Sequence, residues 1–172
     1  MDLGLKGRVA LVAAASRGLG KAIAWELARE GVDVTICARG KEQLKQAAEE
    51  IARSTTSRVL AIAADVTVAK EVTGLVTAVL EQFGRLDILV NNAGGPPPGS
   101  FLTFSDEDWR RALELNLIST ARLTRAVIPT MRANPSRMNE LIGFVKEAAW
   151  QISSRLGYQG PREVSQSVRH GV

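Results

Sequence analysis

Residues 13–20, AAASRGLG, form the segment of this sequence best suited to hold a charged ligand. They follow an apolar run, residues 8–13, and lead into an apolar pattern at helical spacing, residues 19–30. Gly18 and Gly20 allow the backbone to approach a ligand closely and the helix to pack on a sheet, and the first helical turn offers free N–H groups. This order of strand, turn and helix predicts a pyrophosphate site, although such glycines alone more often mark only a tight turn.

Two arginines accompany this turn. Arg17 lies inside it, and Arg39 follows the predicted second strand, residues 32–38. A dinucleotide enzyme that selects NAD carries an acidic residue at the end of that strand, where it binds the adenosine ribose. Guanidinium groups instead form paired hydrogen bonds with phosphate oxygens, so the two arginines favour NADP over NAD. The alternative is that both side chains are simply exposed to solvent.

Polar residues also follow the third and fourth predicted strands. Asp65 and Val66 come after residues 59–63, and the segment NNAG, residues 91–94, comes after residues 86–90. Ligands of open parallel sheets gather at the carboxyl ends of the strands, so these groups are expected to line one crevice. By composition alone they would be helix caps and turn formers.

The elements that position these residues alternate along the first 133 residues. Helices often end at a residue in the left-handed conformation, which glycine adopts most easily, so Gly31 and Gly84 are expected to end two helices. Ser105 and Asp108 resemble a capping box, and Pro129 is expected to kink or shorten the last helix. The pattern predicts an α/β fold with a doubly wound parallel sheet. Strands are predicted at residues 8–13, 32–38, 59–63 and 86–90, and helices at residues 19–30, 41–53, 69–83, 106–117 and from there to about 133.

Length and composition are those of a globular protein with one core. The chain has 172 residues, of which 45% are hydrophobic, and this length favours a single domain. The formal net charge is +4, but the basic residues are scattered and the longest basic run is the pair Arg110 and Arg111. We therefore expect a solvated surface and no nucleic-acid partner.

Cysteine and histidine usage excludes several site classes. The chain has a single cysteine, Cys37, so a disulfide framework is excluded. It has a single histidine, His170, near its end, which argues against a histidine-based metal site and against a Ser/His/Asp triad. No metal ligands are therefore predicted. Residues 1–7 lack the order of a signal peptide and no apolar run is long enough for a membrane span, so we expect a cytoplasmic protein with no membrane partner.

Four ordered segments resemble the short-chain dehydrogenase/reductase family, and the chain is similar to 3-oxoacyl-acyl-carrier-protein reductases. The segments are LVAAASRGLGKAIA, the pair DV at 65 and 66, LDILVNNAGG, and LELNLIST around Asn116. The resemblance covers about residues 5–133 and implies a Rossmann-like fold that binds a nicotinamide dinucleotide. In this interpretation residues 1–133 form the dinucleotide-binding domain.

The resemblance also implies roles for individual residues. Asp65 and Val66 would meet the adenine, and Asn116 matches the catalytic asparagine that kinks a helix and holds a water in the proton relay. Ala13 and Ala14 stand where the family usually has Thr and Gly, and the added methyl of Ala14 is expected to weaken cofactor binding or shift the turn. The phosphates and ribose would lie along Ala14, Ala15, Ser16, Arg17, Gly18, Leu19 and Gly20, and the nicotinamide half would be bordered by Asn92, Ala93 and Gly94.

The resemblance stops near residue 134. The family uses a tyrosine to exchange the proton, a lysine four residues later to lower the pKa of the phenol, and an upstream serine to polarise the substrate oxygen. The serine position falls on Gly143. Tyr158 is the only tyrosine and Arg162 follows it by four residues, but Gly160 and Pro161 interrupt the helix that would carry both. Tyr158 is thus a candidate proton donor within a segment that reads more naturally as a fraying tail.

Residues 134–172 are expected to form an atypical helical tail of the same domain, with an amphipathic helix at residues 139–156. The sheet is then truncated after the fourth strand and the following helices, which leaves that strand as an apolar edge and favours a homo-oligomer. A truncated product, a frame-altered form and a shortened natural variant all remain open.

Two functional hypotheses follow. The first is an NADP(H)-dependent oxidoreductase that transfers hydride between nicotinamide and a small carbonyl or alcohol substrate. The alternative is a catalytically incompetent relative that acts as a nucleotide-binding or assembly module, because the cofactor half of the family pattern is present and the proton-transfer half is not.

Overall fold

The computed structural model describes residues 3–92 and 99–132, which all belong to the unit Met1–Ala133. Residues Asn134–Val172 form a second unit. The predictions of a helical tail at residues 134–172, a helix at residues 139–156 and a role for Tyr158 lie outside the described residues. The division into a binding domain and a tail of the same domain remains a prediction.

Strands and helices alternate through the described residues as the sequence pattern predicts. The strands are β1 (Val9–Val12), β2 (Asp33–Ala38), β3 (Val59–Ala63) and β4 (Ile88–Val90). The helices are α1 (Gly18–Arg29), α2 (Lys41–Ser54), α3 (Ala69–Phe83), α4 (Asp106–Leu113) and α5 (Ser119–Arg132), with a 3₁₀ turn at Phe101–Thr103 and a π-helical turn at Glu114–Ile118.

The four strands form one parallel sheet in the order β3-β2-β1-β4. Val9 pairs with Asp33 of β2, and Ala10 pairs with Ile88 of β4. The chain leaves β1 toward β2 on one side and returns to β4 on the other, so the strand order reverses at β1. Open α/β sheets bind ligands at such a reversal, outside the carboxyl ends of the strands.

Helices cover both faces of the sheet and bury two apolar clusters. Successive side chains of a strand point to opposite faces, so Leu11 of β1 packs with Val72 of α3 and Leu123 of α5, whereas Val12 packs on the other side. That second cluster includes Ala24 of α1 and Leu44 of α2 along with Val12. The doubly wound α/β fold is therefore confirmed.

Most of the predicted helix ends are confirmed. Gly84 caps α3 in the left-handed conformation, with its N–H donating to the Leu80 carbonyl at 2.8 Å. Ser105 and Asp108 form a complete capping box, in which each side chain bonds the other residue's backbone N–H. The two hydrogen bonds from Ser105 lower the pKa of Asp108 against the small opposing effect of burial, so the cap is fully formed at neutral pH.

The helical pattern after residue 106 differs from the prediction at two points. The predicted helix 106–117 is α-helical only to Leu113, and the π-helical turn joins it without a break to α5. The N–H of Ser119 donates to the Glu114 carbonyl five residues back, which adds one residue to the turn. Pro129 lies inside α5 and does not end it, because the helix continues to Arg132.

Thr35 gives a prediction about stability. It lies on β2, is completely buried, and its hydroxyl has no hydrogen-bond partner among the described residues. A buried hydroxyl without a partner costs roughly 1–3 kcal/mol, and valine has nearly the same shape. We expect Thr35→Val to raise the free energy of unfolding by about 1 kcal/mol, measured by urea denaturation.

The control for Thr35 is Thr73→Val on α3. Thr73 is exposed and its hydroxyl donates to the Ala69 carbonyl at 3.2 Å, so the free energy of unfolding should change by less than about 0.5 kcal/mol. Destabilisation by Thr35→Val would show that the hydroxyl finds a partner in solution.

Candidate functional site

A cavity of about 490 Å³ opens at the carboxyl ends of the strands, beside the start of α1. Most of the residues predicted to bind a dinucleotide line it: Ala14, Ser16, Arg17, Gly18, Leu19, Arg39, Asp65, Val66 and Asn92. The sequence interpretation missed other lining residues, which are Cys37, Ala38, Gly40, Gln43, Ala64 and Leu115. The sequence could have indicated three of them, since a position at or just after the end of a strand predicts contact with the ligand: Cys37, Ala38 and Ala64. Nothing in the local sequence indicates that Gln43 and Leu115, which lie on helical segments, reach the cavity.

Both neighbouring strands hold the turn between β1 and α1. The N–H of Ala13 donates to the Val90 carbonyl at 3.1 Å, and the N–H of Ala15 donates to the Cys37 carbonyl at 3.0 Å. The Asn92 amide donates to the carbonyls of Ala13 and Ala14, each at 3.2 Å. Ala15 is fully buried and supports the turn from behind instead of lining the cavity.

Glycines give the turn a shape that side chains would fill. A Cβ added to Gly20 would lie 2.5 Å from the Ala14 carbonyl oxygen and 2.6 Å from Nδ2 of Asn92, so α1 can approach the turn only because this residue is glycine. Gly18 has φ +59°, a conformation that favours glycine, and a Cβ there would meet no protein atom within 4 Å. The backbone at Gly18 is thus open to a ligand.

The start of α1 fits an anion. Its N-cap residue, Arg17, makes no capping hydrogen bond with its side chain, and the first turn contains no acidic residue. Within the described residues, the N-cap side chain thus accepts no hydrogen bond from the first N–H groups of the helix, and no carboxylate of its first turn offsets the positive end of the helix dipole. Together with Arg17 and Arg39 on the cavity wall, this donor set fits the phosphates of a nicotinamide dinucleotide.

Ala14 adopts a strained conformation within this turn. Its φ is 49°, and it is the only non-glycine residue with positive φ among residues 3–92 and 99–132. The left-handed conformation costs an alanine roughly 1–2 kcal/mol. A glycine would adopt this conformation at lower cost, whereas the weaker cofactor binding expected of Ala14 remains a prediction.

We expect Ala14→Gly to raise the free energy of unfolding by about 0.5–1 kcal/mol, as measured by urea denaturation. The relief of strain exceeds the roughly 0.4–1 kcal/mol that glycine adds to the entropy of the unfolded chain. Ala15→Gly is the matched control, because Ala15 is buried without positive φ and its loss should destabilise the fold. Equal destabilisation by both changes would contradict the strain at Ala14.

Asp65 organises the wall that follows β3. Its Oδ1 accepts hydrogen bonds from the N–H of Thr67 at 2.9 Å and from the Thr67 hydroxyl at 2.7 Å. Partial burial works against the charged form, but the Thr67 hydrogen bonds and the positive charge of Arg39 outweigh it and lower the pKa of Asp65. The carboxylate is therefore ionised at neutral pH.

Cys37 lies at the back of the cavity as a buried thiol. Burial raises its pKa to about 11, against the smaller opposing effect of a hydrogen bond with the Ala14 backbone. The thiol is therefore protonated at neutral pH and packs as a small apolar side chain instead of acting as a nucleophile.

Asn116, the candidate catalytic asparagine, lies in the π-helical turn. Its side-chain amide donates to the Ala112 carbonyl at 2.9 Å, and its own carbonyl accepts from the Thr120 hydroxyl at 2.8 Å. Asn116 is exposed and its neighbour Leu115 lines the cavity. Ala93, Gly94 and Tyr158 lie outside the described residues, so their places in the site remain predictions.

Comparisons with known proteins agree with this geometry. The sequence pattern described as short chain dehydrogenase matches residues 8–138. A putative ketoacyl reductase of Streptomyces coelicolor is 40% identical over 120 residues, which cover 70% of this chain and 46% of that protein.

Solved structures show the same likeness. L-sorbose reductase of Gluconobacter frateurii, complexed with NADPH and L-sorbose, has a TM-score of 0.73 and 38% identity over 77% of this chain and 51% of its own. A variant of the actinorhodin polyketide ketoreductase with NADPH has a TM-score of 0.68 and 39% identity over 72% of this chain and 47% of its own.

The chain spans about half the length of these three relatives. Within the part that the structure describes, no helix has both the length and the apolar character needed to cross a membrane.

Proposed function

The chain belongs to the short-chain dehydrogenase family, and on this premise we propose that it binds NADP(H) and works as an oxidoreductase on a small carbonyl or alcohol substrate. The observation that carries the proposal is the cavity that unites the uncapped start of α1 with Arg17 and Arg39. The two solved reductase structures that resemble this chain contain NADPH, which supports the same cofactor.

The lining residues suggest how the chain would hold the cofactor. The turn from Ala14 to Gly18 and the N–H groups of α1 would bind the diphosphate, and Arg17 and Arg39 would bind the 2′-phosphate. The exposed Leu19 would lie along the phosphates and ribose, Asp65 and Val66 would meet the adenine, and Asn92 would border the nicotinamide half. When bound, NADPH supplies the hydride, and Tyr158 remains the candidate proton donor.

The alternative is a module that binds the nucleotide without catalysis. The observation in its favour is that Gly143 stands at the position of the family's serine and that Gly160 and Pro161 follow Tyr158. Such a module would bind NADPH through the same cavity, so binding alone does not separate the two functions. Turnover does.

We test both functions with the full 172-residue chain. Titration calorimetry should show NADPH binding at micromolar concentrations and weaker NADH binding, and absorbance at 340 nm should show NADPH consumption with some member of a panel of ketones, aldehydes and sugars. Binding without turnover would support the nucleotide-binding module. No binding of either nucleotide at millimolar concentration would overturn both.

We also propose that the chain self-associates. Helix α4 and the π-helical turn expose large apolar side chains, with Leu113 53% and Leu117 59% exposed in the described structure. Large exposed apolar patches commonly mark interaction surfaces. Light scattering after size exclusion should give a mass at least twice that of one chain, and a stable monomer would contradict the proposal. A cytoplasmic location remains a prediction from the sequence.

A further inference from the structure

Arg122 of α5 joins two segments that are distant in sequence. Its Nη1 donates to the carbonyl of Thr67 at 2.7 Å and to that of Val66 at 3.3 Å. The same nitrogen lies 2.9 Å from Oε1 of Glu114, the first residue of the π-helical turn. One partly buried guanidinium therefore bonds the loop after β3 and the π-helical turn together.

Both segments form walls of the cavity. We define the adenine wall as residues 65–67, of which Asp65 and Val66 line the cavity, and the helical wall as residues 114–118, of which Leu115 lines it. Arg122 itself does not line the cavity. It contacts the adenine wall through the carbonyls of Val66 and Thr67 and the helical wall through the side chain of Glu114. It can therefore act on a ligand only by positioning other residues.

We propose that Arg122 is a positioning residue that couples the two walls, so that a nucleotide bound against the adenine wall also orders the helical wall and its Asn116. This inference rests on the proposed function, because it requires an adenosine phosphate in the cavity. An exposed ion pair contributes little to stability, but hydrogen bonds from a charged donor to two backbone carbonyls fix a loop more strongly. The side chain of Arg122 is 26% exposed, so solvent screens these contacts only in part.

The variants separate the two walls. Arg122→Ala removes the contacts to both walls, whereas Glu114→Ala removes only the contact to the helical wall and leaves the bonds to Val66 and Thr67. Arg122→Lys should rescue, because all three contacts come from the single nitrogen Nη1, which has two N–H groups, and a lysine ammonium offers three N–H donors at one nitrogen. Arg125→Ala is the matched control, since this exposed arginine on α5 lies outside both walls.

The probe is adenosine 2′,5′-bisphosphate, which carries the adenosine half of NADP without nicotinamide. We measure its dissociation constant by calorimetry and the exchange of backbone amide hydrogens with and without it. In the unmodified chain the ligand should slow exchange in both walls. Arg122→Ala should raise the dissociation constant about tenfold and abolish the slowing in residues 114–118. Glu114→Ala should change the dissociation constant less than threefold yet also lose that slowing.

The outcomes distinguish this inference from the proposed function. If the unmodified chain does not bind the bisphosphate or NADPH, the proposed function fails and the inference fails with it. If it binds, but Arg122→Ala binds equally well or keeps the slowed exchange of residues 114–118, only the coupling is overturned. Should Arg122→Ala fail to fold, Glu114→Ala decides: slowed exchange of residues 114–118 that persists in this variant would overturn the coupling.

Discussion

Replacing Arg39 by alanine is expected to raise the dissociation constant of NADPH about 30-fold while changing that of NADH less than threefold. Arg39 follows β2, is exposed and lines the cavity. A hydrogen bond to a charged group contributes roughly 1.5–3 kcal/mol, and exposure to solvent favours a value near 2 kcal/mol, which corresponds to about 30-fold. NADH has no 2′-phosphate, so the loss of Arg39 removes no hydrogen bond to it and its dissociation constant should change little.

The control for Arg39 is Arg53→Ala on α2. Arg53 pairs with Glu49 at 3.1 Å on the helix surface and does not line the cavity, so its loss makes the same change in net charge without touching the site. Calorimetry on both variants with both nucleotides measures how much the contact between Arg39 and the 2′-phosphate contributes to binding. An equal loss of NADPH and NADH affinity would mean that Arg39 shapes the adenine site, and no loss would place the 2′-phosphate elsewhere.

The parts of the fold that the sequence predicts well are those where periodicity and burial act together. β1 is a short apolar run because helices cover both faces of the sheet, and α3 ends at Gly84 because a left-handed residue closes it. The order of strands, turns and charged residues then predicts that the turn between β1 and α1 and Arg39 lie at one cavity, since parallel strands bring their carboxyl ends to one edge.

The parts that the sequence does not predict depend on contacts between distant segments. The π-helical turn at Glu114–Ile118 adds one residue to a helix, and the spacing of apolar residues in the sequence does not indicate it. Leu115 reaches the cavity as part of that turn. Arg122 looks like one of many surface arginines until the loop carbonyls of Val66 and Thr67 come within 3.3 Å of it. Such roles are set by three-dimensional proximity, which residue type and spacing leave open.

The same substitution at two glycines is expected to have opposite effects on stability. Gly20→Ala should lower the free energy of unfolding by about 2–3 kcal/mol, because the new methyl would lie 2.5 Å from the Ala14 carbonyl oxygen and 2.6 Å from the Asn92 amide. Gly74→Ala should raise it by about 0.5–1 kcal/mol, because Gly74 is exposed inside α3 and its Cβ would meet nothing within 4 Å. Urea denaturation measures both.

Gly20→Ala should also weaken NADPH binding at least tenfold, whereas Gly74→Ala should leave it unchanged. The carbonyl of Ala14 belongs to the backbone and cannot rotate away, so relief of the clash must move either the turn between β1 and α1 or α1 itself. Either movement displaces the first N–H groups of α1 relative to the turn between β1 and α1. The Asn92 amide then loses its hydrogen bonds to the carbonyls of Ala13 and Ala14. If Gly20→Ala binds NADPH normally despite its lower stability, the diphosphate does not lie against this turn, because a ligand held there depends on the close approach that glycine permits.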